Sequence, residues 1–278
     1  MKSSVYYRFA LVFVLPVFFS MSFYAQSPKP DTGFVPQVGQ AGKDVVWVPT
    51  PDKLVNKMLE IAEVTPKDFL IDLGSGDGRT VIGAAKLGAR ALGIEYNPAM
   101  VELSKKNAEL AGVSDKLKFL KADLFETDLS EATVITMFLL PEINLQLRPR
   151  LLELKPGTRI VSNTFTMGDW IPDLEVTTDN PDESWSTALL WIIPAKINGT
   201  WKMGDGELSI RQEYQMFFGT FKSGNKSSTI TDGRLKGDTI NFKINGEVYT
   251  GKVGGKSIMS GTATSGSRKW DWLAKLND

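Results

Sequence analysis

The chain contains no cysteine and no histidine. The first absence excludes disulfides and thiolate metal sites. The second removes the commonest general base near neutral pH and every Ser-His-Asp triad. Charge of one sign is not in excess either. Thirty-two basic and 32 acidic side chains cancel over 278 residues, so the whole chain offers no field for a polyanion. What remains possible is a site of carboxylates, amides and hydroxyls, or a cofactor held largely by backbone.

The first 25 residues read as an export segment. Lys2 and Arg8 give a basic start, and Phe9–Ala25 carries no charge before the polar Gln26-Ser27-Pro28-Lys29. That layout is a signal peptide, with cleavage after Ala25 or, in second place, Ser22. An uncleaved anchor is the competing reading, and the apolar run is near the lower length limit for a membrane span. Either way the rest of the chain is expected to be exported: periplasmic, or membrane-anchored facing outward.

Residues 26–44, rich in Pro, Gly, Gln and Ser, read as a linker or arm. Residues 45–194 read as βαβ repeats. Thr50 suits a helix N-cap before Pro51, and Leu54, Val55, Met58, Leu59 and Ala62 share one helical face. Strands are expected at 69–73, 90–95, 117–122, 133–138 and 158–165. Helices are expected at 79–87, 98–111 and 142–154, the last with Pro149 as a potential break. Such alternation implies a mostly parallel, doubly wound sheet that binds ligands at the strands' carboxyl ends. Residues 195–278 differ in composition. Proline disappears, and 13 of the 25 glycines fall between Gly199 and Gly266, punctuating short alternating stretches. This predicts a separate all-β barrel or sandwich. Its core is assigned to Trp201, Tyr214, Phe217, Phe218, Trp270 and Trp272. The repeated Lys-Ile-Asn-Gly at 196–199 and 243–246 predicts two Asn-Gly hairpin turns.

The most informative segment follows the first strand: Asp72-Leu73-Gly74-Ser75-Gly76-Asp77-Gly78-Arg79. Glycines at 74, 76 and 78 allow a sharp turn and close approach to a ligand. A dinucleotide fingerprint would place its third glycine one residue later, and Asp72 would repel a pyrophosphate. An acid here suits a ligand carrying an ammonium and a sulfonium. Glu95 ends the second strand 21 residues after Gly74, where a carboxylate can bind both ribose hydroxyls. Asp123 follows the third strand, where it is available to an adenine amine or to cap the next segment.

With these residues in register, the chain resembles the class I S-adenosylmethionine-dependent methyltransferases over roughly residues 44–173. Val48-Pro49-Thr50-Pro51, Asp72–Arg79, Leu139-Leu140-Pro141-Glu142-Ile143-Asn144 and Met167-Gly168-Asp169-Trp170 narrow the resemblance. They are similar to exported bacterial relatives of the seven-strand protein-lysine methyltransferases. The resemblance implies a Rossmann-like seven-strand α/β sheet and S-adenosyl-L-methionine as methyl donor, without a metal. It implies that Gly74, Gly76 and Gly78 hold the donor's methionine end, that Glu95 binds the ribose and that Asp123 contacts adenine. Asp72, Ser75 and Thr50 join this cofactor set. Glu142 and Asn144 follow strand four, where acceptors enter in this fold, and are the candidate catalytic residues.

A protein acceptor, lysine-directed and membrane-associated, heads the expectations; nucleic acid is not expected, and oligomeric state is open. The Asp/Asn-Pro-Pro-Tyr/Phe pattern of many nitrogen methyltransferases is missing after strand four. A small-molecule acceptor stands second. A non-catalytic exported binding protein that keeps the cofactor fold stands third.

Overall fold

The computed structural model describes residues 33–43, 45–178, 184–255 and 257–277. The expected leader, and much of the 26–44 arm, lie outside the described residues. All the described chain from Phe34 onward belongs to one compact unit.

Helix α1 (Asp52–Ile61) buries Leu54, Val55, Met58 and Leu59, the face expected from their spacing. Its N-cap is Pro51, however, and no side chain caps it. Thr50 is diverted. Its hydroxyl accepts from Asn163 Nδ2 at 3.2 Å, and its carbonyl accepts from Arg79 Nη1 at 2.9 Å. The chain then alternates β1 (Phe69–Leu73), α2 (Arg79–Lys86), β2 (Arg90–Glu95), α3 (Pro98–Leu110), β3 (Leu117–Lys121), β4 (Val134–Met137), α4 (Pro141–Leu151) and β5 (Arg159–Asn163). Pro149 sits inside α4 without ending it. Two strands not read from the sequence pattern follow, β6 (Leu174–Thr177) and β7 (Thr187–Ile192). The sheet order is β3-β2-β1-β4-β5-β7-β6, parallel except for β7, which runs antiparallel to β5 and β6. This is the expected Rossmann-like seven-strand sheet. Alternate residues of its central strands enter opposite cores, as a doubly covered parallel sheet requires. Leu70 and Val134 pack toward α1 and α2, whereas Ile71 and Ile135 pack toward α4, Trp170 and Trp191.

The C-terminal part is a closed eight-strand antiparallel barrel: β8 (Gly199–Met203), β9 (Gly206–Glu213), β10 (Met216–Ser223), β11 (Lys226–Lys236), β12 (Thr239–Ile244), β13 (Glu247–Gly254), β14 (Ile258–Ser265) and β15 (Arg268–Leu276). Side chains fill it. Trp201, Leu208, Phe217, Phe242, Tyr249 and Trp272 lie inside, with the Phe242 and Tyr249 rings stacked at 4.8 Å. Gly251 and Gly261 pair across β13 and β14. A Cβ at Gly251 would come within 2.7 Å of the Trp272 ring, so the missing side chains make room for the indole.

Two of the expected barrel aromatics do other work. Phe218 faces outward under Arg211, with the guanidinium carbon 5.7 Å from the ring centroid. Tyr214 stacks on Trp170 of the sheet at 5.6 Å. Asn245-Gly246 forms the predicted hairpin turn, with φ of 51° and 83°. Asn198-Gly199 does not, because β7 and β8 belong to different sheets; Asn198 instead accepts from Gln212 N at 3.2 Å.

Sheet and barrel meet at a buried polar joint. Gln215 in the β9–β10 turn accepts from Trp170 Nε1 at 2.9 Å and donates to Ile171 O at 2.8 Å. Trp191 Nε1 donates to Trp170 O at 2.8 Å, and Arg234 pairs with Asp173 at 2.7 Å. Trp170 has no solvent exposure, so Trp170→Ala leaves a large cavity and orphans Gln215. We expect a loss of about 3–5 kcal/mol and separate melting of barrel and sheet in calorimetry. A single transition near the parent temperature would contradict this account of the joint.

Candidate cofactor and acceptor site

The glycine loop is sewn to the neighbouring strand. After β1 the backbone takes positive φ at Gly74 (75°), Gly76 (54°) and Gly78 (84°). The amides of Gly74 and Ser75 both donate to Ile94 O at 2.9 Å, and Gly76 N donates to Glu95 Oε2 at 3.0 Å. Side chains are excluded by space as well as by torsion. A Cβ at Gly76 would lie 2.7 Å from Trp47 Nε1, and one at Gly78 would lie 2.6 Å from the Phe119 ring.

The carboxylates are arranged around this loop. Glu95 Oε1 also accepts from Asn97 N at 2.8 Å, so both its oxygens already hold backbone. A carboxylate offers about four lone-pair sites, which leaves capacity for a diol. Asp123 caps the turn that follows β3, not a helix. It accepts from Lys43 Nζ at 2.5 Å and from Phe125 N at 2.8 Å, and these contacts hold its carboxyl below the usual range. Asp77 is forked by Arg79, with Nε at 3.0 Å and Nη2 at 2.6 Å. Asp72 is buried and accepts from Thr136 Oγ1 at 2.6 Å. Burial pushes its carboxyl up to about 7 against the pull of Thr136, with the charges of Asp77 and Glu95 adding to the rise.

A cavity of about 310 Å³ opens over the carboxyl ends of the strands. Thr50, Asp72, Gly74, Ser75, Gly76, Glu95 and Asp123 all line it. Gly78 lies behind the wall, against Phe119 and Ser104. Two expected residues are elsewhere. Glu142 is exposed on α4 outside the lining. Asn144 is fully buried, and its Nδ2 donates to the carbonyls of Phe165 and Thr166 at 3.3 and 3.2 Å. It holds the loop after β5 rather than facing the cavity.

That loop carries a residue the sequence did not single out. Thr164 has φ of 60° and donates to Asn163 Oδ1 at 2.8 Å, and Ser162 Oγ donates to Phe165 O at 2.7 Å. The strained turn places the Phe165 ring on the cavity wall, with Phe138 after β4 and Trp185 before β7. Their centroids are 5.9, 5.5 and 5.2 Å apart. Lys43, Trp47 and Tyr96 line the cavity too. Long-range packing brings these six in, and no local motif marks them.

The strand order sorts the lining by chemistry. The ends of β1, β2 and β3 bring Asp72, Glu95 and Asp123, and the ends of β4 and β5 bring Phe138 and Phe165. One side is acidic and suits a cationic, hydroxyl-rich ligand; the other is aromatic. Ser75 Oγ is buried beside the loop without a hydrogen-bond partner among the described residues, so the loop retains an unused polar group. The residues therefore fit S-adenosylmethionine.

Asp72 links this site to stability. Its folded pKa of about 7 lies above the ordinary 3.8, so between those values the folded chain holds a proton that the unfolded chain lacks. This group's contribution is then favourable at low pH. It is lost as pH rises toward 7 and is level above that. A ligand that brings an ammonium to this loop, as both the donor and S-adenosylhomocysteine can, favours the ionised form, so affinity should rise as pH approaches 7. Asp72→Asn is expected to raise the ligand-free melting temperature at pH 8, weaken S-adenosylhomocysteine binding and remove this group's share of the pH dependence. Calorimetric titration and melting from pH 5 to 8 check it. Glu95→Ala should cost about ten- to a hundredfold in the same affinity. Glu95→Gln should cost less, because an amide oxygen still accepts from Gly76.

Comparison with known proteins agrees with this geometry. A family profile described as the ANTKMT methyltransferase domain matches residues 72–174. A protein-lysine N-methyltransferase of Saccharolobus islandicus (strain REY15A) is 48% identical over 131 residues, 46% of this chain and 81% of that protein. The Mus musculus adenine nucleotide translocase lysine N-methyltransferase is 33% identical over 144 residues, 51% of this chain and 62% of its own length. A solved structure, an RNA methyltransferase from Salinibacter ruber in complex with S-adenosyl-L-homocysteine, is 51% identical with a TM-score of 0.51. It is matched over 96% of its chain and 54% of this one.

Proposed function

The chain belongs to the family of S-adenosylmethionine-dependent methyltransferases that share the ANTKMT domain with protein-lysine N-methyltransferases, and from that premise we propose that its acceptor is the ε-amine of a protein lysine. The aromatic trio Phe138, Phe165 and Trp185 on the wall beside the donor site carries this reading. The donor supplies an activated methyl on a sulfonium. The protein's part is to align a lone pair with it and keep water away. Aromatic faces attract an incoming ammonium, and the methylated product is still a cation that they accommodate. Loss of water from the amine behind this wall lowers its pKa against that attraction, which favours release of the proton to water before attack. This route needs neither a histidine nor Glu142. Asn144 serves it at one remove, by holding the backbone of Phe165.

The charge of the part that holds the cavity supports a protein over a nucleic acid. Residues 26–194 carry 17 basic and 24 acidic side chains, a net of −7, which repels a phosphate backbone. The basic start and uncharged run Phe9–Ala25 support export with the catalytic part facing outward. A membrane-associated acceptor fits that reading, and among curated relatives the mouse protein acts on adenine nucleotide translocase.

The test is to incubate the full chain with methyl-labelled donor and a membrane fraction, hydrolyse the proteins and identify the labelled amino acid. Methylated lysine is the expected product. Label confined to RNA or small molecules overturns the lysine reading, and no transfer despite donor binding returns the binding-protein alternative. Phe165→Ala should lower kcat/KM about three- to thirtyfold while S-adenosylhomocysteine affinity stays nearly unchanged.

A further inference from the structure

Residues before α1 do not simply lead into the fold. Residues 39–43 and 45–47 pair back on each other: Gly39 N donates to Trp47 O at 2.8 Å, Trp47 N to Gln40 O at 2.9 Å and Gly42 N to Val45 O at 3.0 Å. This arm lies over the donor side of the cavity and is fastened there at several points. Trp47 packs on Gly76, and Gln40 Nε2 reaches Met100 Sδ at 3.7 Å. Arg79, braced by Asp77, holds Thr50 O at the arm's root.

Another fastening is Lys43. Its Nζ lies 2.5 Å from Asp123 Oδ2 and 4.9 Å from the centroid of the Tyr96 ring. Asp123 is the expected adenine acceptor, 80 residues away in sequence. Phe125 N–H takes one lone pair on Oδ1 and Lys43 one on Oδ2, and a carboxylate's remaining capacity suffices for an adenine amine. One carboxylate is therefore placed to hold both the arm and the donor's base. The pair is partly exposed, with side chains 34% and 21% accessible, so it can open and is reached by salt.

We propose that Lys43 is a cofactor-retention residue: it clamps the arm across Asp123 and Tyr96, and the donor or its demethylated product leaves only when this clamp opens. The inference rests on the donor site assigned above. Lys43 is a positioning residue and takes no part in methyl transfer. Its chemistry requires a cation on a long stem, able to pair with Asp123 while lying over a ring.

The experiment loads the full chain with labelled S-adenosylhomocysteine and follows its release into excess unlabelled compound, across a range of sodium chloride concentrations. In the parent protein, release should quicken with salt. Lys43→Met keeps the stem but loses the charge; it should release roughly five- to thirtyfold faster and lose most of that salt dependence. Lys43→Arg should restore slow release. Lys105→Met, at an exposed lysine paired with Glu102 outside the cavity, should behave as the parent. Unchanged release and salt dependence in Lys43→Met, with binding retained, overturns the clamp and leaves the donor site standing. A parent protein that fails to bind S-adenosylhomocysteine overturns both. Release in the parent that ignores salt also counts against the clamp, without recourse to any variant.

Discussion

The hydrogen bonds from the glycine loop to the end of β2 are the constraint on which the rest of the site depends. Two amides on Ile94 O and one on Glu95 force the chain leaving β1 across its neighbour before it can start α2. Only left-handed backbone makes that crossing, hence three glycines in five residues. The crossing fixes where α2 begins, which places Arg79 within reach of Asp77 and Thr50. Arg79 in turn fixes the root of the arm and the start of α1. A turn of a few residues thereby sets the floor, one wall and the cover of the cavity.

The catalytic part and the barrel divide the work unevenly. Among the described residues, those lining the cavity all fall between Gln40 and Trp185, and none belongs to the barrel. Yet Gln215 holds Trp170 and Ile171, a few residues after Phe165, and Tyr214 stacks on the same tryptophan. The barrel thus braces the segment that follows the aromatic wall. Buried polar contacts of this kind specify one arrangement, because any other leaves the amide unsatisfied.

The legible parts of the sequence were those whose causes are local. The glycine spacing and the acids at strand ends follow from turn geometry and strand length. Even so, pattern alone marked five strands, and the seven-strand count rested on family resemblance. Strand β6 is exposed nearly throughout and shows no buried alternation, so pattern could not mark it. Thr50 has the chemistry of a cap, but Asn163 and Arg79, distant in sequence, compete for its two oxygens. Asn144 stands where acceptors enter such folds, but it lies on the buried face of α4 and donates to the Phe165 carbonyl. Phe138, Phe165 and Trp185 come from three separate segments, and only the folded sheet makes them a group. Tyr214 and Asn198 depart from their expected places because the barrel's ends are joined to the sheet and its connection, which no local pattern encodes.

Asp72 has a consequence for the protein's persistence. A buried carboxylate near two other acids raises the free energy of the empty fold at neutral pH. A bound cation relieves that cost, and mass action converts the relief into a smaller unfolded fraction. Proteases act on that fraction, so a donor-bound chain is harder to degrade than an empty one.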